Sequence, residues 1–203
     1  MIPVTPQPEP IDFDAKVRTP GLKWLRDHGI DPSLPPPDPK KLPTYWRNVQ
    51  IDLWRAYAGV CAYLTIYFEW PSGASSTDHF IAKSRLANQA YEWSNYRLSC
   101  LGMNRNKGNF EDILDPFDIQ PNTFTLNLAS GRIAANLALP PVERTLAEAT
   151  IRRLKLDAPE TNRMRAEHYT LYSRGEVSAA YLQRLSMNEH DIGLISILRK
   201  KSS

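Results

Sequence analysis

The sequence predicts an α+β fold in which short strands sit inside a mainly helical chain that follows a proline-rich extended N-terminal arm. Three observations predict it. Most of the 17 prolines fall before residue 44, period-two and apolar runs appear only in short central stretches, and from Val142 onward the apolar residues recur at helical spacing. At 203 residues, 42% hydrophobic and 23% charged, the composition is that of an ordinary globular protein. The boundaries read as residues 1–43 for the arm, 44–120 for a central core, and 121–203 for a hairpin and helical part of the same domain.

Within the arm, proline removes donors and fixes φ, so Pro6, Pro8, Pro10, Pro35, Pro36, Pro37 and Pro39 imply extended backbone. One short helix, Gly21 to His28, ends at Gly29. Phe13, Leu22, Trp24 and Leu25 are more apolar than a solvated linker needs, so the arm is expected to pack on its own domain or on a partner. Thr44 is placed to cap a helix running to about Tyr57, with Trp46, Val49, Leu53 and Tyr57 on one face and Gly59 as its stop.

Val60–Phe68 and Ser76–Ile81 read as two strands around a Trp-Pro-Ser-Gly-Ala loop. Tyr91–Cys100 is compact and aromatic, Asn104–Glu111 is a short helix, and Asp115-Pro116-Phe117 closes the segment. Phe124, Leu126 and Leu128 alternate as a half-buried strand that turns at Ser130-Gly131 into another. Ala147, Ile151 and Leu154 form one helical stripe, and Ile192, Ile195 and Leu198 form another near the end.

The net charge of +3 and pI near 8.8 tolerate a nucleic-acid partner without requiring one. The longest apolar stretch is far short of the roughly 20 residues a spanning helix needs, and no signal peptide is visible, so a cytoplasmic protein without a membrane partner is expected. Two cysteines, Cys61 and Cys100, are too few for a disulfide scaffold or for a four-cysteine zinc site.

Chemistry-bearing residues gather in one stretch: Asp78-His79, Lys83-Ser84, Asn95 within Trp-Ser-Asn-Tyr-Arg, and Asn104-Arg-Asn-Lys107-Gly. Each alone has a bland explanation, since a lone histidine is usually structural and asparagine beside glycine usually makes a turn. Together they meet the needs of phosphodiester hydrolysis: a histidine base, hard oxygen donors for a cation, and a positive group. A carboxylate and an amide oxygen suit Mg²⁺ or Mn²⁺. Asn104 and Lys107, three residues apart, would share a helix face.

The pattern Asp-His-Phe-x-x-Lys-Ser, then Trp-Ser-Asn-Tyr-Arg-Leu-Ser-Cys, then Asn-x-x-Lys-Gly resembles the HNH endonucleases, whose ββα-metal motif holds one divalent ion. The resemblance implies Asp78 and Asn104 as metal ligands, His79 as general base, Asn95 as a brace for the loop carrying that base, and Lys107 as the lysine facing phosphate. It implies a nucleic-acid substrate, DNA or RNA. The Cys-Ala-Tyr start, the Leu-Asp-Pro-Phe segment and the helical tail are similar to HNH nucleases associated with ABC-type ATPases in anti-phage systems of the Septu and retron kinds. That closer likeness implies a defence or toxin effector and an ATPase partner, on which the arm could dock. The alternative is a catalytically silent HNH-derived subunit that binds nucleic acid or the ATPase.

One departure concerns the scaffold. Many HNH proteins carry two Cys-x-x-Cys knuckles that share a zinc ion; here they read Cys61-Ala-Tyr-Leu64 and Cys100-Leu-Gly-Met103. With two thiols left, no structural zinc is expected, and Leu64 and Met103 are expected to form an apolar plug beside Cys61 and Cys100. Elsewhere, Arg152, Arg153, Lys155, Arg163, Arg165 and His168 suggest a basic surface, but interleaved acids favour a solvated helix face. His28, His190 and the terminal Arg199-Lys200-Lys201 read as surface residues, and Tyr91 and Trp93 as core.

Overall fold

The computed structural model describes residues 1–178 apart from Gly73. The chain has two compact units. The first comprises Thr5–Cys61 and Phe68–Glu111; the second comprises Met1–Val4, Ala62–Tyr67 and the described residues from Asp112 on. The helices expected around Ile192, Ile195 and Leu198, together with His190 and Arg199-Lys200-Lys201, lie outside the described residues.

The first unit begins with a helical stretch, wider-wound over Asp14–Arg18 and regular in α1, Thr19–Asp27. It is longer than the eight-residue helix the sequence suggests, and Pro20 sits in the first turn of α1, where the wider-wound stretch gives way to the regular helix. A tight turn at Tyr45–Val49 leads into α2, Gln50–Ala56. Thr44 donates no side-chain cap; its carbonyl alone accepts from Arg47 N–H at 3.0 Å. Next come β1, Ser75–His79, tight turns at Ala87–Tyr91 and Trp93–Asn95, β2, Tyr96–Cys100, and α3, Leu101–Lys107. β1 and β2 are antiparallel, with Asp78 opposite Arg97 and His79 opposite Tyr96.

The arrangement is therefore strand, strand, helix; β1 falls in the expected Ser76–Ile81 stretch, but the other expected strand does not form. Val60–Phe68 is a buried loop: Val60, Cys61, Ala62 and Tyr63 are inside, while Thr65 has φ of +60°, which a β-branched residue in a strand does not adopt. Its apolar character reflects burial without a ladder, an ambiguity inherent in short apolar runs. The second strand lies instead in Tyr96–Cys100, inside the aromatic segment.

Residues 5–43 are built into this unit. Phe13, Val17 and Leu25 are fully buried, and Phe13 meets Trp93 and Tyr96 edge-on with centroids 5.7 and 5.8 Å apart. Backbone groups that proline leaves without a ladder find partners here: Gln7 O accepts from Trp93 Nε1 at 2.8 Å, and Leu34 O accepts from Ala87 N–H at 3.0 Å. Gly21 lies flat on Tyr91, where a Cβ would come within 2.3 Å of the ring. Among the two possibilities the sequence leaves open, Phe13, Val17 and Leu25 pack on the chain's own domain.

In the second unit β3, Phe124–Leu126, pairs with β4, Ile133–Ala135, as the alternation and the Ser130-Gly131 turn predict. The buried face is that of Ile133 and Ala135; Leu126 is exposed. α4, Pro141–Leu154, and α5, Pro159–Ser173, each open on proline. Asp157 joins hairpin to helices, accepting from Arg132 Nη2 at 2.9 Å, Ile133 N–H at 3.1 Å and Asn162 Nδ2 at 3.0 Å. Arg165 is held by the carbonyls of Gly131 and Leu156, which removes it from any basic surface. Among the described residues, no helix is long and apolar enough to cross a membrane.

Candidate active site

β1 pairs with β2 on one side only. Its free edge forms the floor of a cleft of about 660 Å³ whose lining includes Trp46, Arg47, Gln50, Asp78, His79, Lys83 and Asn104. One wall is α3 and the other is the turn that leads into α2. Alternation along the strand sends Ser76 and Asp78 toward α3, and Thr77 and His79 toward Trp46. Adjacent residues that point to opposite faces of β1 thus reach one cleft, because the edge between those faces is open and the strand stops at His79.

On the α3 side, Asn104 Nδ2 donates to Ser76 Oγ and to Thr77 O at 3.4 Å. With its amide N–H groups committed, its Oδ1 is the atom left to accept. Asp78 is buried, and Lys107 Nζ stands 3.5 Å from its carboxylate. The same ammonium donates to His79 O at 3.0 Å. Asn104 and Lys107 do share a face, as their spacing predicts, but the Lys107 side chain is fully buried. It is turned to Asp78 and the His79 backbone, so the expected role of facing phosphate is corrected to one of positioning. The last turn of α3 lies against β1, which leaves its lysine no path to solvent.

On the other side, His79 is enclosed by aromatic rings, edge-on to Trp46 at 4.8 Å and to Tyr96 at 5.2 Å. Its Nε2 lies 3.2 Å from Ala90 O, which also accepts from Tyr96 Oη at 2.7 Å. A carbonyl only accepts, so Nε2 carries the proton and Nδ1 keeps a lone pair. Burial, followed by the positive charge of Lys83, pushes the imidazole down to about 3. The ring is therefore neutral across the physiological range.

Asn95 is buried and bonds to the segment that follows His79. Its Nδ2 donates to Ile81 O at 2.9 Å and Gln89 O at 2.8 Å, and its Oδ1 accepts from Ile81 N–H at 2.8 Å. These bonds tie the chain leaving His79 to the turn that carries Ala90. Cys61 is buried and Cys100 half-buried, both as free thiols. They meet in a hydrogen bond which, with burial, pushes the Cys100 thiol up. Met103 is buried as expected of a plug; Leu64 is only half-buried and belongs to the second unit.

Among the described residues, no group of three or more His, Cys, Asp or Glu side chains could hold a metal ion, so a closed structural site is not built from those types. A hard divalent ion asks for less. The Asp78 carboxylate and Asn104 Oδ1 are two oxygen donors lining one cleft, a set that fits Mg²⁺ or Mn²⁺ with waters completing the shell.

Sequence reasoning missed the opposite wall. Lys83 Nζ lies 4.6 Å above the Trp46 ring, and burial together with the nearby Arg47 guanidinium lowers the Lys83 pKa. Lys83 stood in the recognised motif without a role; Arg47 and Gln50 carried no signal, since only folding brings their turn onto β1. Compared with protein-family models and with curated proteins, the chain matches none of them.

Proposed function

We propose that the first unit is a metal-dependent HNH-type endonuclease that hydrolyses phosphodiester bonds of nucleic acid in the cleft beside β1. One observation carries the reading: His79, with a fixed tautomer and a free Nδ1, shares that cleft with the oxygen donors Asp78 and Asn104. Nδ1 takes a proton from the attacking water as its oxygen bonds to phosphorus; the P–O bond to the leaving oxygen breaks, and that oxygen is protonated from solvent. Burial is the main cause of the low His79 basicity; an anionic phosphate in the cleft offsets the smaller contribution of Lys83 and raises that basicity when substrate is present. Asp78 and Asn104 would hold Mg²⁺ or Mn²⁺, which supplies charge stabilisation to the phosphoryl and leaving oxygens. Lys107 fixes the His79 carbonyl and Asn95 the backbone two residues beyond it. A defence role and an ABC-type ATPase partner rest on motif order alone.

The test is incubation of the protein with duplex DNA, single-stranded DNA and RNA, with Mg²⁺ and with Mn²⁺, against His79→Ala. Loss of a general base costs about 10²–10⁴-fold. Equal cleavage by both proteins, or none by wild type on any substrate, overturns the reading.

A further inference from the structure

The wall of the cleft opposite α3 holds two cations without carboxylate partners. Several cations elsewhere in this unit are matched: Lys107 with Asp78, Arg85 with Glu111, and Arg18 with Glu9 and Glu92. Among the described residues, Lys83 and Arg47 form no ion pair with a carboxylate. Lys83 is positioned by the face of Trp46. An aromatic face attracts an ammonium through its quadrupole and leaves the full charge in place, whereas a carboxylate would have cancelled it. Arg47 follows Trp46 in the chain and lies close enough to lower the Lys83 pKa, after burial. Bringing two like charges together at the rim of a concave site costs energy until an anion arrives between them.

A second, independent observation lies on the same side. Thr77 is buried and lines the cleft, yet its Oγ1 has no hydrogen-bond partner. A buried hydroxyl without a partner is unfavourable, and an anionic oxygen is the acceptor such a donor lacks. Ser75 Oγ, two residues back on the same face of β1, is likewise without a partner.

We infer that Lys83, Arg47 and Thr77 form the seat for the phosphodiester backbone of a nucleic-acid strand, on the Trp46 side of β1. The seat deepens the nuclease reading and rests on it for the identity of the anion. It divides the cleft: one wall grips backbone phosphate, the other presents the cation donors, and His79 stands at the edge between them. Contacts of this kind go to phosphate and carry no base information, so the grip is indifferent to sequence.

The experiment is binding of labelled single-stranded and duplex oligonucleotides at rising salt in EDTA, where no cleavage intrudes, read by fluorescence anisotropy. Each phosphate contact contributes a slope of about 0.7 for single strands or about 0.9 for duplex in log K against log salt. Lys83→Met and Arg47→Gln should each flatten the slope by about that amount, Lys83→Arg should restore it, and Thr77→Val should weaken binding without lowering the melting temperature. Polyglutamate, a carboxylate polyanion, should compete poorly. Unchanged slopes, no binding by wild type, or equal competition by polyglutamate overturns the seat. The binding slopes in EDTA and cleavage in Mg²⁺ separate the two proposals, because Lys83→Met and Arg47→Gln test the seat where no chemistry occurs. Wild-type binding through Lys83 and Arg47 without cleavage in Mg²⁺ would sink the nuclease reading and leave the seat standing.

Discussion

Replacing Lys107 with methionine keeps the aliphatic stem and removes the ammonium. That ammonium stands 3.5 Å from the Asp78 carboxylate, with side-chain exposures of 0% and 3%, so solvent cannot take its place. Removing one member of a buried pair costs about 3–5 kcal/mol, and the lost bond to His79 O falls within that figure. Total stability for a domain is about 5–15 kcal/mol, so the loss is a large fraction. With a urea slope of about 2 kcal/mol per molar, the midpoint should fall by about 2 M. Tryptophan fluorescence is the right probe, because all five tryptophans lie in the first unit. Asp78→Asn with Lys107→Met should cost less than the sum of the single changes, by at least about 1 kcal/mol. A single-variant loss below about 1 kcal/mol, or additivity within about 0.5 kcal/mol, would refute the assignment of Lys107 as the buried partner of Asp78.

Three further outcomes follow from the same geometry. His79 is held down to about 3 in the fold against about 6.5 unfolded. The unfolded chain therefore binds the extra proton between those values, and stability should fall with pH through that window, by about 3 kcal/mol between pH 7 and pH 4. His79→Phe should lose this component, so the gap between wild type and variant in urea midpoint narrows on acidification; a constant gap contradicts the buried neutral ring. Mg²⁺ or Mn²⁺ should raise the melting temperature of wild type in proportion to the logarithm of its concentration, and Asp78→Ala and Asn104→Ala should abolish or weaken that rise in calorimetry. Phe13→Ala should cost about 3–5 kcal/mol, and deletion of residues 5–43 should leave the first unit unfolded by circular dichroism, an outcome a detached arm would not give.

The candidate site was legible because its chemistry is compressed into a short stretch. Asp78, His79, Asn95 and Asn104 occur in order at spacings that a hairpin and helix can close, and the structure brings Asp78, His79 and Asn104 to one cleft, with Asn95 buried beside the chain that leaves His79. Lys107 was legible as to face and illegible as to depth, since the i, i+3 relation fixes direction around a helix and says nothing about what covers it. β2 was hidden because the alternation in Tyr96–Cys100 runs between two buried faces, where polar Arg97 and Ser99 are inside as well. Val60–Phe68 looked like a strand because burial and strand pairing select the same residues. Lys83 and Arg47 are far apart in sequence, and their meeting in one cleft is a property of tertiary packing alone.

The close approach of Gly21 to Tyr91 has a consequence for how the chain is made. Tyr91 lies 6.4 Å from Trp46, Trp46 packs on His79, and Phe13 closes on Tyr96 from the other direction. The surroundings of His79 thus draw on segments translated before it and on segments translated after it. On the ribosome the N-terminal segment must wait, its apolar side chains unsheltered, until the chain through about residue 100 has emerged. Such non-local closure is slow. It also means that a nascent or truncated chain carries Asp78 and His79 without the enclosure that gives the imidazole its neutral state, so premature release yields an incomplete centre.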